Sequence, residues 1–231
     1  MTMSNVAFIP ARGGSKRIPD KNIKEFNDVP ALGRVVEAIK STGMFDTILV
    51  STDSEKIKSV ARSFGAEVIM RDPKLANDIV GLLEVVQADL ESIELIVGSA
   101  DLLACVLPTA LLMSPVDLES ATRFVSDGNS PFVVSVGRFR YPIQRAIRIM
   151  DDSQIEMVWP ENYSRRSQDL EDLHHDAGQF YVGTVEAWRT RQTMFDLPAT
   201  ALVIDDWRVQ DIDVKDDWTR TEKLWRVLES D

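Results

Sequence analysis

The chain has 231 residues, 44% of them hydrophobic and 27% charged, which is ordinary for a soluble globular protein and unlike a disordered or collagen-like chain. With 26 Lys and Arg against 37 Asp and Glu, the formal net charge is -11; this surface repels a nucleic-acid backbone or an anionic membrane, so neither is expected as a partner. The single Cys105 excludes an intrachain disulfide, the N-terminus lacks the long apolar region of a signal peptide, and the longest apolar run, Leu102 to Met113, is too short to span a bilayer. A reducing cytoplasm is the expected compartment.

Taken in chain order, NVAFI, ALGRVVEAIKSTG, TILVSTD, SEKIKSVARSFG and AEVIM alternate short β-branched runs with longer helical patterns, a βαβαβ order. The helices carry one apolar stripe each, at Val35 and Ile39 and at Ile57, Val60, Ala61 and Phe64, and they end at Gly43 and Gly65, with Ser54 available as an N-cap. GLLEVVQADLES then reads as a helix, LLACVLP as a buried strand, PVDLESATRFVSDG as a helix with Pro115 near its start, and PFVVSV as a strand. From about Gly137 to Gln179 the period is lost, and an insertion or second lobe is expected there. FYVGTVEAWRT and ALVID read as strands, and VQDIDVKDDWTRTEKLWRVLES as a strand running into a helix. The expectation is a single α/β domain over 1–231 with a projecting segment.

One stretch runs against the acidity of the chain. FIPARGGSKRIPDKN places Arg12, Lys16, Arg17 and Lys21 beside Gly13 and Gly14, directly after a strand, at the carboxyl end of a sheet where open α/β folds hold ligands. The glycines admit close backbone approach and unusual dihedrals, so that main-chain N–H groups face an anion, while Arg12, Lys16 and Lys21 add charge-assisted bonds. The chemistry fits a polyphosphate. Neither G-x-x-x-x-G-K-[ST] nor G-x-G-x-x-G is present, which disfavours a P-loop ATPase and a dinucleotide oxidoreductase.

Farther along, Asp211 and Asp213 flank Ile212, so on an extended backbone both carboxylates face one side and offer the paired oxygen ligands that Mg²⁺ takes. In an acidic chain a D-x-D string alone is a weak signal. Arg165, Arg166, Gln168 and Asp169 share no amphipathic period, which argues against simple helix-surface duty. His174 and His175 precede Asp176, but two adjacent histidines with no Cys and no third His make a poor zinc cluster.

The string IPARGGSKRIPDKN resembles the signature of the sugar-acid cytidylyltransferases, enzymes that couple CTP to a nonulosonic or ulosonic acid. The resemblance continues through STDSEKI, RDPKLAND, PTALL, YPIQRA, MVWPENYSRRSQDLEDLHHDAGQFY and VQDIDVKDDW, and the middle block is most similar to the pseudaminic acid branch. It implies a Rossmann-like, mostly parallel sheet of the nucleotidyltransferase type. It also implies CTP and a nine-carbon sugar acid as substrates, Mg²⁺ as cofactor, and a homodimer completed by a segment at about 138–176.

Carried over position by position, the resemblance gives Ala11, Arg12, Gly13, Gly14, Ser15, Lys16, Asn22 and Arg71 to the nucleotide and Asp211 and Asp213 to the metal. Arg12, Lys21, Asp211 and Asp213 become the catalytic set, and Gln144, Arg145, Arg165, Arg166, Gln168, His175, Asp176 and Gln179 the sugar-binding set. Leu82 and Leu107 depart from the family, standing where polar side chains are common. N-acetylneuraminic or legionaminic acid as substrate, a metal-dependent glycosyltransferase, and a catalytically silent nucleotide-binding protein stay open as alternatives.

Overall fold

The computed structural model describes residues 4–77 and 79–230; Asp78, which closes the RDPKLAND string, lies outside them. The strands are β1 (Asn5–Pro10), β2 (Glu25–Phe26), β3 (Val29–Pro30), β4 (Thr47–Thr52), β5 (Glu67–Met70), β6 (Leu102–Val106), β7 (Phe132–Arg138), β8 (Ile147–Ile149), β9 (Ile155–Met157), β10 (His174–Thr184) and β11 (Thr200–Val203). The helices are α1 (Ala31–Ser41), α2 (Glu55–Ser63), α3 (Leu82–Val97), α4 (Pro115–Ser126), α5 (Val185–Thr190) and α6 (Lys215–Leu228). Seven strands form one sheet in the order β11-β7-β10-β6-β1-β4-β5; β2 with β3, and β8 with β9, form two small hairpins. Every pairing in the large sheet is parallel except the two made by β10, which runs antiparallel to β6 and β7.

The sheet is mostly parallel because its strands are apolar on both faces and are covered on both. In β1, Ala7 and Ile9 face a core containing Leu32, Val35 and Ile39 of α1, Ile57 of α2, Leu118 of α4 and Trp218 of α6. Val6 and Phe8, one residue out of phase, face a second core with Val86 and Leu90 of α3 and Trp188 of α5. Helix ends follow local chemistry: Ser54 accepts from the Ile57 N–H at the start of α2, and Gly43 and Gly65 take the left-handed conformation past α1 and α2.

Three expectations are corrected. The stretch read as aperiodic to Gln179 contains the start of β10, whose first residues are polar because they pair with the solvent end of β7: His174 opposite Arg138, His175 opposite Gly137, Asp176 opposite Val136. The ladder is irregular between Asp176 and Tyr181, where Gly178 has φ +63, and this irregularity hides the period. FYVGTVEAWRT is not one strand, because Thr184 accepts from the Ala187 N–H and turns VEAWRT into α5. VQDIDV joins no sheet; it is irregular chain leading into α6, so the face-sharing argument for Asp211 and Asp213 loses its strand. Among the described residues no helix is long and apolar enough to cross a membrane.

Candidate active site

The basic glycine loop leaves the sheet where expected. The Ala11 N–H donates to the Ser51 carbonyl at 2.9 Å, continuing the β1–β4 ladder one residue past Pro10, so the loop emerges at the carboxyl end of the parallel strands. The Gly13 N–H donates to Asp53 Oδ1 at 2.8 Å, and a Cβ on Gly13 would stand 2.9 Å from the Ser54 Cβ, so close backbone approach explains this glycine. Gly14 has open space around it, and neither glycine is left-handed; the left-handed residue of the loop is Asp20, at φ 52. Unusual dihedrals are therefore not what the two glycines supply. The buried Asn22 donates through Nδ2 to the Arg12 carbonyl at 2.9 Å and closes the loop on itself.

Below the loop lies a cleft of about 510 Å³. Arg12, Ser15, Lys16, Lys21 and Asn22 line it on one side, Arg71 lies deeper, and Asp213 comes in from the C-terminal part of the chain. Arg17 and Thr109, outside the set expected from sequence, also line it; Arg17 belongs to the same basic string. Its apolar end is made by Leu75, Val80, Leu82, Val85 and Leu107, so both leucine departures face the same space. Ala11 is fully buried beneath the loop.

Arg71 is buried and oriented. Its Nε donates to Ser51 Oγ at 3.0 Å and its Nη2 to the Ser51 carbonyl at 2.9 Å, while the Ser51 hydroxyl donates to Asp89 on α3. Burial raises the Asp89 carboxyl above the usual carboxylate range, against the opposing pull of the Ser51 hydroxyl and the Arg71 charge.

Lys21 and the aspartates meet at the rim. Lys21 Nζ donates to the Ile212 carbonyl at 2.6 Å and stands 3.9 Å from Asp213 Oδ1, which also pairs with Arg17 at 2.7 Å. Burial lowers the Lys21 ammonium, and the charges of Asp213 and Asp211 offset part of that. Burial, and then the neighbouring Asp213 charge, raise Asp211. The segment is held from behind: Asp217 Oδ2 accepts the N–H groups of Asp213 at 3.0 Å and Val214 at 2.9 Å at the first turn of α6. That helix is moored by Trp218, edge-on to Phe26 at 5.7 Å and covered by Lys24 Nζ at 4.0 Å.

These carboxylates fit a hard divalent cation. Burial and the neighbouring Asp213 charge disfavour the charged form of Asp211, and a positive ion beside the pair offsets both effects. Among the described residues no three His, Cys, Asp or Glu side chains gather into a metal cluster, so such an ion would draw its other ligands from phosphate and water, as Mg²⁺ does.

The residues expected to bind sugar are dispersed. His175 and Asp211 line a second cleft of about 370 Å³ on the far side of the 211–213 segment. Gln144 and Gln168 line a third, of about 340 Å³, which shares Arg138, Phe139 and Arg140 with the second. Arg145 donates to the Arg165 carbonyl, Arg165 donates to the Asp169 carbonyl and to Asn162 Oδ1, and Arg166 grips the Asp169 carboxylate by two bonds of 2.8 and 3.1 Å. The three are engaged with residues of their own stretch of chain. Asp176 accepts from the Gly178 N–H and the Tyr181 hydroxyl, and the buried Gln179 donates to the Arg208 carbonyl at 2.6 Å.

Comparison with known proteins agrees with this architecture. The family model described as "Cytidylyltransferase" matches residues 6–118. A pseudaminic acid cytidylyltransferase of Campylobacter jejuni is 36% identical over 226 residues, covering 97% of each chain. N-acylneuraminate cytidylyltransferase B of Danio rerio is 32% identical over 228 residues, 96% of this chain and 51% of the other. Among solved structures, a CMP:2-keto-3-deoxy-manno-octonic acid synthetase complexed with CTP superposes with a TM-score of 0.70 at 16% identity, covering 97% of this chain and 99% of that one, a likeness of fold. The 36% identity to the Campylobacter jejuni relative, over 97% of each chain, decides the matter, and the chain belongs to the cytidylyltransferase family.

Proposed function

We propose that the protein transfers the cytidylyl group of CTP to pseudaminic acid, giving the CMP-sugar and pyrophosphate. The observation that carries this reading is the meeting of Lys21 with the Asp211–Asp213 segment at the rim of a cleft lined by Arg12, Ser15 and Lys16. The choice of acid rests on the Campylobacter jejuni relative.

The anomeric hydroxyl of the acid attacks the α-phosphorus of CTP; a new P–O bond forms, the bond to the bridging oxygen of the β-phosphate breaks, and the hydroxyl proton is released. Arg12, Ser15 and Lys16 hold the triphosphate, and Arg12 stabilises charge gathering on the α-phosphate. Lys21, aimed by the Ile212 carbonyl, meets the departing pyrophosphate. Asn22 and Arg71 contact the cytidine moiety, with Leu82 and Leu107 supplying an apolar wall. Asp211 and Asp213 would hold Mg²⁺, which supplies charge neutralisation on the phosphates. We place two copies of the chain in the working molecule, joined through the projecting segment, whose β8–β9 hairpin exposes Ile147, Ile149 and Ile155.

Purified protein with CTP and Mg²⁺ is offered pseudaminic, legionaminic, N-acetylneuraminic and 3-deoxy-octulosonic acids separately, with pyrophosphate followed and products weighed. Pyrophosphate and the matching CMP-sugar are expected with pseudaminic acid. A product from another acid instead overturns the substrate, and no pyrophosphate with any of the four overturns the reaction.

A further inference from the structure

We propose that the carboxylate of the sugar acid is gripped by Arg138 and Arg220, in the cleft on the Asp211 side of the 211–213 segment; this rests on the reaction just assigned. The segment borders both clefts, and its two carboxylates stand near enough to act on each other. Asp213 lines the nucleotide cleft and Asp211 lines the second one, so a molecule in the second cleft reaches toward the phosphate end of the first. A volume of about 370 Å³ is in the range of small-molecule sites, and Phe139, edge-on to the His175 ring at 4.9 Å, gives it an apolar floor.

The charge is what selects the ligand group. In a chain of net charge -11, this cleft gathers three guanidinium groups, those of Arg138, Arg140 and Arg220, against the carboxylates of Asp206 and Asp211. Arg140 is committed, donating to the Asp206 carbonyl at 2.6 Å. Among the described residues, no hydrogen bond or close ion pair engages the guanidinium of Arg138 or Arg220, and Arg220 acts only through its charge, on Asp217 one turn back on α6. By contrast, Arg145, Arg165 and Arg166, the arginines that sequence reasoning offered to the sugar acid, bond to carbonyls and carboxylates of their own segment.

Backbone placement agrees. Arg138 closes β7 and is paired in register with His174, and Arg220 lies on the second turn of α6, next to the Trp218 anchor. Both side chains therefore spring from rigid elements, as a fork for a planar carboxylate requires.

The test measures KM for pseudaminic acid and for CTP separately in Arg138→Gln and Arg220→Gln, and repeats the acid series with its methyl ester. The acid KM is expected to rise about 10- to 100-fold in each variant with the CTP KM unchanged, the loss typical of a charge-assisted pair. The wild-type protein should pay a similar penalty for the ester, and the variants should lose that penalty, because ester and variant remove the same contact. An unchanged acid KM, or an ester penalty as large in the variants as in the wild type, overturns the inference while the reaction stands. If the wild type releases no pyrophosphate with any acid, the reaction itself falls and this inference with it. Should a glutamine variant fail to bind CTP, Arg138→Lys and Arg220→Lys are read by the same ester criterion.

Discussion

Lys21 shows how little of a candidate functional residue is contained in its own neighbourhood. The basic string announces a cation, but only the Ile212 carbonyl at 2.6 Å aims it and only burial lowers its ammonium pKa. Replacing it by methionine is expected to lower kcat about 100-fold or more, as for other groups that meet charge built in the transition state, with the CTP-bound fold retained. Its pKa is lowered, so the charged form present at low pH is lost, as pH rises, earlier than for an ordinary lysine. The alkaline limb of kcat/KM for CTP should therefore begin below the usual lysine range and move upward in Lys21→Arg, whose guanidinium stays charged; a limb that does not move would assign it elsewhere. Arg12, Ser15, Lys16 and Asn22 were legible because they lie within eleven consecutive residues of one loop. Thr109, Arg138 and Arg220 were not, since each joins its site only through chain segments far apart in sequence.

Among the elements, α6 does the most positioning with the fewest sequence signals. Trp218 is 2% exposed and braces the hairpin of β2 and β3, while Asp217 on the same turn holds the backbone of Asp213. Trp218→Ala is expected to cost about 3–5 kcal/mol, read by urea unfolding. Pyrophosphate release by the protein that remains folded should also fall, because the 211–213 segment loses its brace. A variant with lower stability and full specific activity would separate the anchor from the site. The parallel strands were legible because burial on both faces leaves unbroken apolar runs. The start of β10 and the helix α5 were not, because an irregular ladder hides the period of one and a single threonine cap decides the other.

At the scale of the whole molecule, a chain with this much negative charge leaves Tyr141, Ile147, Ile149 and Ile155 exposed within one short stretch of sequence. Such a face in water is a candidate contact surface, and the occupant proposed above is a second copy. Light scattering is expected to give a dimer, and Ile149→Asp together with Ile155→Asp a monomer that still binds CTP. A wild-type monomer at assay concentration would remove the dimer from the account. That the middle of the chain leaves the alternating pattern of the sheet was legible from its lost period, whereas its exposed isoleucines sit on a hairpin too short to be read from sequence.

The register of Arg138 with His174 has a consequence for how such a protein changes substrate. The two residues are the gateposts of the chain between β7 and β10, and because they are already neighbours in a ladder, that chain is a closed detour whose length costs the sheet little. It is an exchangeable cassette on a fixed neck. On the roles proposed above, the frame that carries the basic loop, the aspartates, Arg138 and Arg220 addresses what the substrates of one reaction share. The cassette is left free to diverge toward whatever distinguishes one acid from another, without renegotiating the chemistry behind it.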